Sequence, residues 1–461
     1  MATLSSNKRA TVKNTRSKHR HTLRAFSQTV KQPAKFAQLL GRLCNGDSGS
    51  CLTFGKYVNP TKKFFDNFTK FKYTFPMIRR IGTPSANGFV YEITYEHYGL
   101  RAHTILKCSL PDTNPDNLYY EYMVGHFFIN ECNKRFPCFL ETYGAYNLDN
   151  TVITKMTAVK TFSIAELKTS ITQVPTFKTV KEMYEPIRSS CQDPSTFSIL
   201  IQHLTSSDSM ANHFKKNKPD DEYFTGTLPH LLYQIYAPLS ILKDTFTHYD
   251  LHGDNVLLYD IGSENYIQMN YIFPTGSTVS FKTHLISKII DYGRSYFYAN
   301  ADINSRTIYD TVCKVCIDTK NPDNTCGYEN GYQWFLEESP QEYDILTTKP
   351  NGSHDLRLIY ELSLKDVKGR DEGMMTDIFY DTYYEDTYGT PYHASSASSS
   401  MASSSTIYNV VDAEVRLREV ITDIVFQTAN ETQYQYSTCV GTMNIYMDPD
   451  SNKSMTFTPT M

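Results

Sequence analysis

Asp250 and Asn255 stand five residues apart in His248-Tyr249-Asp250-Leu251-His252-Gly253-Asp254-Asn255, which runs straight into the apolar Val256-Leu257-Leu258. A carboxylate and an amide at that spacing, on a loop that feeds a strand, can serve one phosphoryl transfer. The carboxylate takes the proton of an attacking hydroxyl, and the amide oxygen holds a divalent metal. Forty-one residues beyond Asp250, Lys288-Ile289-Ile290 leads into Asp291-Tyr292-Gly293. An acid at a strand end, followed by a glycine that lets the chain turn, makes a natural second metal ligand.

In this order, with strand-like runs beside them, the two motifs resemble those of the protein-kinase-like superfamily. His-x-Asp-Leu-x-x-x-Asn is similar to the catalytic loop, and Asp291-Tyr292-Gly293 is similar to the Asp-Phe-Gly segment with Tyr for Phe. The resemblance spans roughly Phe71 to Glu361. It implies an ATP- and Mg2+-dependent phosphotransferase in which Asp250 orients or deprotonates the acceptor while Asn255 and Asp291 bind metal. Ile105-Leu106-Lys107 resembles the strand whose lysine neutralises the α- and β-phosphates, although a lysine at a strand end is otherwise usually just solvated. Glu121, on the next helix, is then the carboxylate that pairs with Lys107, with Glu131 on the same helix as the alternative. Ile81-Gly82-Thr83-Pro84-Ser85-Ala86-Asn87-Gly88-Phe89-Val90 stands where the phosphate-covering loop belongs. Gly82 and Gly88 are its nucleotide-binding glycines, and its middle glycine is missing. Ser353-His354-Asp355-Leu356-Arg357-Leu358 resembles the start of the helix whose Asp braces the catalytic loop.

Two replacements and an insertion narrow the resemblance. Tyr249 replaces the arginine that receives an activation-loop phosphate in many regulated kinases. His252 replaces the usual catalytic-loop lysine, as in aminoglycoside and choline kinases and in divergent protein kinases. When protonated, it can stabilise the transferring phosphoryl group as a catalytic residue. The hairpin-like insertion before Asp291, with the following Asp-Tyr-Gly-Arg-Ser, is similar to divergent serine/threonine kinases encoded by large DNA viruses. A Ser or Thr hydroxyl on a protein is the default acceptor. A small-molecule hydroxyl, or a pseudokinase that serves as a binding module, stays open.

The elements that must position these residues are legible as patterns. Ile78–Ile81, Phe89–Tyr95 and Ala102–Cys108 read as strands, and Asn117–Asn133 reads as a helix. Phe139–Tyr146 and Thr151–Met156 read as two more strands across a polar turn. Leu228–Phe246 reads as a helix with an apolar stripe and a Pro238 kink. Tyr266–Phe273 and Thr278–Phe281 read as a hairpin, and Leu417, Val420, Ile421, Ile424 and Val425 as one face of a last helix. With the resemblance, the expected fold is α+β and two-lobed: a small antiparallel β-sheet lobe with one helix, then a larger, mainly helical lobe. The expected division is a basic flexible tail at 1–46, a β-rich nucleotide-binding lobe at 47–159 and a helical lobe at 160–461. Within the last, the Ser-rich tract 394–405 is a loop.

Composition sets the outer limits. At 461 residues, 40% hydrophobic and 20% charged, the chain is too apolar to be disordered as a whole. No apolar run approaches the 18 residues that a membrane helix needs, and no signal-peptide core stands out. The expectation is a soluble, intracellular protein without a membrane partner, cytoplasmic or nuclear, in a host cell or virion if viral. Residues 1–46 hold ten Lys or Arg and no acid, in a chain whose net charge is −4. Such an arm suits nucleic acid, an acidic surface or an import receptor, or is merely solvated. The ten cysteines lack the dense pairing of a secreted scaffold. Cys313, Cys316 and Cys326 have spacing that admits a structural Zn2+ if a histidine completes the set, with ordinary thiols as the commoner reading.

Overall fold

The structure, a computed structural model, describes residues 57–85, 88–110, 116–182, 196–205, 207–217, 221–316, 348–362 and 407–460. Four residues between 34 and 41 and the short stretches 332–335, 342–345, 383–385 and 391–393 are also described. The basic tail apart from those four residues, the Ser-rich tract and Cys326 lie outside them.

The architecture is mixed α+β. Three antiparallel strands, β1 (Met77–Ser85), β2 (Gly88–His97) and β3 (Leu100–Cys108), open a seven-stranded sheet. Alternation decides its faces. Tyr91, Ile93 and Tyr95 of β2 and Leu106 of β3 point into a core closed by Phe64, Phe65 and Phe68 and by Val152, Ile153 and Met156. Glu92, His103 and Lys107 take the other face.

After β3 comes helix α1 (Asp116–Val124), continued by a π turn (Gly125–Ile129) and by Asn130–Arg135. Gly125 lets this helix approach the next strand: a Cβ there would lie 2.1 Å from Thr142 Oγ1. That strand is β4 (Thr142–Leu148), and its neighbour is not the expected one. Residues 150–158 form a helix, because the Asp149 side chain accepts the Thr151 N–H at 2.8 Å and caps it. The β-branched residues of Thr151–Met156 resemble a strand, but the cap overrides that preference. The sheet is completed from farther along by β5 (Thr161–Ser163), β6 (Ile171–Gln173) and β7 (Thr196–His203), and β7 inserts between β3 and β4. The sheet therefore extends beyond residue 159, where the β-rich unit was expected to end.

The remainder is less helical than expected. Helix Leu228–Leu242 contains Pro238 and buries nearly all its side chains rather than one stripe. A helix that is apolar all round belongs at the centre of a core. Packed on it are a three-stranded sheet of β8 (Ser207–Ser209), β10 (Val256–Asp260) and β13 (Leu285–Ile289) and the helix Val410–Thr422. β9 (Phe246–Thr247) precedes the loop that carries Asp250. The expected hairpin forms as β11 (Asn265–Ile272) and β12 (Thr278–Thr283), and the strand Thr438–Tyr446 pairs parallel to β11. The last amphipathic pattern is two helices. Asp423 is extended and caps Ile424–Gln433 through the Val425 N–H at 2.8 Å. Leu417, Val420 and Ile421 are consequently buried, while Ile424 and Val425 are exposed. Among the described residues, no helix is long and apolar enough to cross a membrane.

Candidate active site

One register brings the two sequence motifs together. β10 begins directly after Asn255, β13 ends directly before Ile290, and the strands pair antiparallel with Val256 opposite Ile289. The exit of the Asp250 loop thus lies beside the entry to Asp291, and the Ile290 N–H donates to the Asn255 carbonyl at 3.0 Å. Gln234 of the central helix clamps β13 in place: its Nε2 donates to Leu285 O and its Oε1 accepts the Ser287 N–H.

The motifs face a cleft of about 310 Å³, within the usual range for a small-molecule site. Its walls include Thr83, Gly88, Val90, Lys107, Glu121, Asp250, Asp291 and Arg294. Gly88 lines the cleft, whereas Gly82 does not, although its neighbours Ile81 and Thr83 do. At Gly88 no side chain fits: its φ is +153° and a Cβ would lie 2.1 Å from the Cys108 carbonyl oxygen. The tip residues 86–87 lie outside the described residues.

At one end of the cleft, Lys107 Nζ donates to Glu121 Oε2 at 2.6 Å and to Asp291 Oδ1 at 3.2 Å. The strand delivers the lysine and α1 delivers the buried glutamate. Glu131 is on the exposed side of the helical run and pairs with Lys134 instead. Burial opposes the lysine charge, but the Asp291 and Glu121 carboxylates outweigh it and raise its pKa above the ordinary value. Burial pushes Glu121 up to about 7, with Lys107 pulling the other way. The Lys107 charge holds Asp291 below the ordinary aspartate value. Asp291 has left-handed backbone, φ 66°, which a non-glycine residue adopts only at a cost.

At the other end, the Asp250 carboxylate meets two guanidinium groups. Arg357 Nη1 donates to Oδ1 at 2.7 Å, and Arg294 Nη1 stands 3.4 Å from Oδ2. His252 Nε2 is 3.8 Å from Oδ1, and the His252 Nδ1 accepts the Asp254 N–H at 3.3 Å. The loop beneath is tied from below. Asp355 accepts the N–H groups of His248 and Tyr249 at 2.8 and 3.0 Å, and burial pushes its carboxyl up to about 7. His248 donates from Nε2 to Ile290 O at 2.9 Å, so its Nδ1 is free to accept the Asp250 N–H at 3.2 Å. Burial lowers the His248 pKa, in keeping with that neutral tautomer. The Tyr249 hydroxyl donates to Lys349 O at 2.7 Å.

The metal expectation needs correction. Among the described residues, no group of three or more His, Cys, Asp or Glu is placed to hold a metal ion. Asp291 turns a carboxylate oxygen to Lys107, and the Asn255 amide donates to the Asp250 carbonyl at 2.9 Å, which ties the loop to itself. Asp291 thus belongs to no such group, and the Asn255 bond is made by its amide nitrogen rather than by the oxygen that the metal expectation invoked. The Zn2+ expectation fares no better: Cys313 and Cys316 lie on the helix Ser305–Cys316, and Cys326 falls outside the described residues.

Sequence reasoning missed Arg294 and Arg357 as parts of the site. The available signal was positional: each stands within three residues of a motif aspartate, Asp291 or Asp355. Compared with known proteins, the chain matches no protein-family model and no curated protein.

Proposed function

We propose that the chain is an ATP-dependent phosphotransferase with a two-lobed, kinase-like arrangement, which moves the γ-phosphate of ATP to a Ser or Thr hydroxyl of a protein. One observation carries this reading. Lys107, joined to both Glu121 and Asp291, shares a single cleft with Asp250. The lysine charge suits the α- and β-phosphates, and the β1–β2 hairpin at Gly88 forms a wall beside it. The acceptor oxygen bonds to the γ-phosphorus as the bond from that phosphorus to the β,γ-bridging oxygen breaks. ADP leaves, and the acceptor proton passes to Asp250. The seven-stranded sheet with its own core is the smaller lobe in this reading. The choice of a protein hydroxyl follows the resemblance of the motifs.

The test supplies γ-labelled ATP, with its usual counter-ion, to the wild type and to Asp250→Asn, with a mixture of Ser- and Thr-containing proteins. Label on protein from the wild type alone supports the reading. ATP consumption without protein label moves the acceptor to a small molecule or water. A folded wild type that neither labels protein nor consumes ATP overturns the phosphotransferase and leaves a binding module.

A further inference from the structure

Asp355 and Arg357 stand two residues apart, in the turn His354–Leu356 and at the start of the short helix Arg357–Leu362. Both act on the Asp250 loop: Asp355 holds its backbone, and Arg357 holds the Asp250 side chain. The guanidinium is itself anchored, because its Nε donates to Glu361 Oε1 at 2.9 Å one turn along the same helix. The Arg357 side chain is only 12% exposed and lies outside the cleft wall, to which Asp250 and Arg294 belong. The two carboxylate oxygens are therefore unequal. Oδ1 accepts a charge-assisted bond at 2.7 Å, whereas Oδ2 faces Arg294 at 3.4 Å, beyond ordinary hydrogen-bond length.

We infer that Arg357 is a positioning residue for the transfer proposed above, fixing Oδ1 so that Oδ2 is the oxygen aimed at the acceptor hydroxyl. The inference rests on the phosphotransferase reading. A carboxylate turns readily about its terminal torsion, so its two oxygens exchange places unless something distinguishes them. A largely buried guanidinium that engages two carboxylates through separate nitrogens removes that freedom, which a lysine, a single point charge, does only in part. In the transfer, the acceptor O–H bond breaks toward Oδ2 while the acceptor oxygen bonds to the γ-phosphorus and ADP departs. Oδ1 keeps its bond to Arg357 throughout.

The experiment measures ATP turnover, with protein acceptor or water, for the wild type, Arg357→Ala, Arg357→Lys, Asp250→Asn and the Arg357→Ala/Asp250→Asn double variant. Thermal unfolding is recorded for each. Loss of aim is expected to lower kcat about 100-fold in Arg357→Ala, with KM for ATP within about twofold of wild type. Arg357→Lys should recover about tenfold of that loss. In the Asp250→Asn background, Arg357→Ala should cost nothing further, because its effect passes through that carboxylate. A kcat within about threefold of wild type in Arg357→Ala, or an undiminished loss in the Asp250→Asn background, overturns the inference. If Arg357→Ala does not fold, Arg357→Lys and Glu361→Gln decide: a fall in kcat at constant KM supports the assignment, and unchanged kcat removes it. A folded wild type without turnover removes the phosphotransferase reading and this assignment with it. Wild-type turnover that is indifferent to Arg357 removes the assignment alone.

Discussion

The two ends of the cleft are built as opposites. At one, a cation is shared by two carboxylates, Lys107 between Glu121 and Asp291. At the other, a carboxylate is shared by two cations, Asp250 between Arg294 and Arg357. In each case the closest partner is more buried than the group it aims: Glu121 is 6% exposed against 28% for Lys107, and Arg357 is 12% exposed against 17% for Asp250. A charge that must meet a ligand has to face the cleft, where solvent competes for it. An opposite charge held behind it by packing restores its direction. The ends differ in origin. The Lys107–Glu121 contact joins a strand to the helix that follows it, whereas the Asp250–Arg357 contact crosses 107 residues of chain.

The sharpest way to break this comparison is Asp250→Asn. Removal of the proposed proton acceptor, with the shape kept, is expected to cost turnover a factor of about 10³. Urea unfolding should show a folded protein, and unchanged turnover would deprive the acceptor end of its role. Lys107→Met attacks the other end. Loss of a charge-assisted contact with phosphate should weaken nucleotide binding by roughly 2–3 kcal/mol, read by calorimetric titration. Binding equal to wild type would show that the shared cation serves only the fold.

The same face of the sheet offers a control outside the cleft. Glu92 meets Arg79 at 2.8 Å, His103 at 3.4 Å and His203 at 3.6 Å. His103 and then Arg79 hold its carboxyl down to about 2, against the effect of burial, and burial brings His203 down to about 4. Both folded-state values lie below those of the unfolded chain. The stabilisation is therefore complete above about pH 6.5 and is lost through His203 as pH falls toward 4. It is lost further through Glu92 as pH falls from about 4.5 toward 2. Glu92→Gln should remove about 2 kcal/mol of the lower part of that slope, seen as a flatter plot of unfolding free energy against pH. A parallel plot would show that the cluster is not coupled to folding. The smallest effect is expected of Glu131→Gln. An exposed i,i+3 pair contributes less than about 0.5 kcal/mol, so nucleotide binding and stability should match wild type. A marked loss of binding would return Glu131 to the role given to Glu121.

Legibility followed sequence distance. Three strands and the helix after them were readable because alternation and turn residues act within ten residues or so of chain. Asp250, Asn255 and Asp291 stood out for the same reason, as short motifs at strand ends. The choice between Glu121 and Glu131 depended on which side of a helical run met the sheet, and a π turn between them alters that phase. β7 escaped notice because its place, between β3 and β4, comes from residues that follow both. Thr151–Met156 misled because six residues of suitable type cannot outweigh a cap formed by the residue beside them.

What the sequence determined by itself is local: an aspartate on a loop, an acid after a strand, a lysine before a helix and their order along the chain. Tertiary structure decided what each of them faces. The antiparallel register of β10 with β13 set Asp291 beside the Asp250 loop. Packing turned one Asp291 oxygen toward Lys107 and the Asn255 amide nitrogen toward its own loop. It also brought Arg294 and Arg357 onto Asp250, although their closeness in sequence to Asp291 and Asp355 does not say which group they meet. Short-range preferences act on neighbours and are written in neighbouring residues. The direction of a charged side chain depends on which distant groups packing has buried behind it.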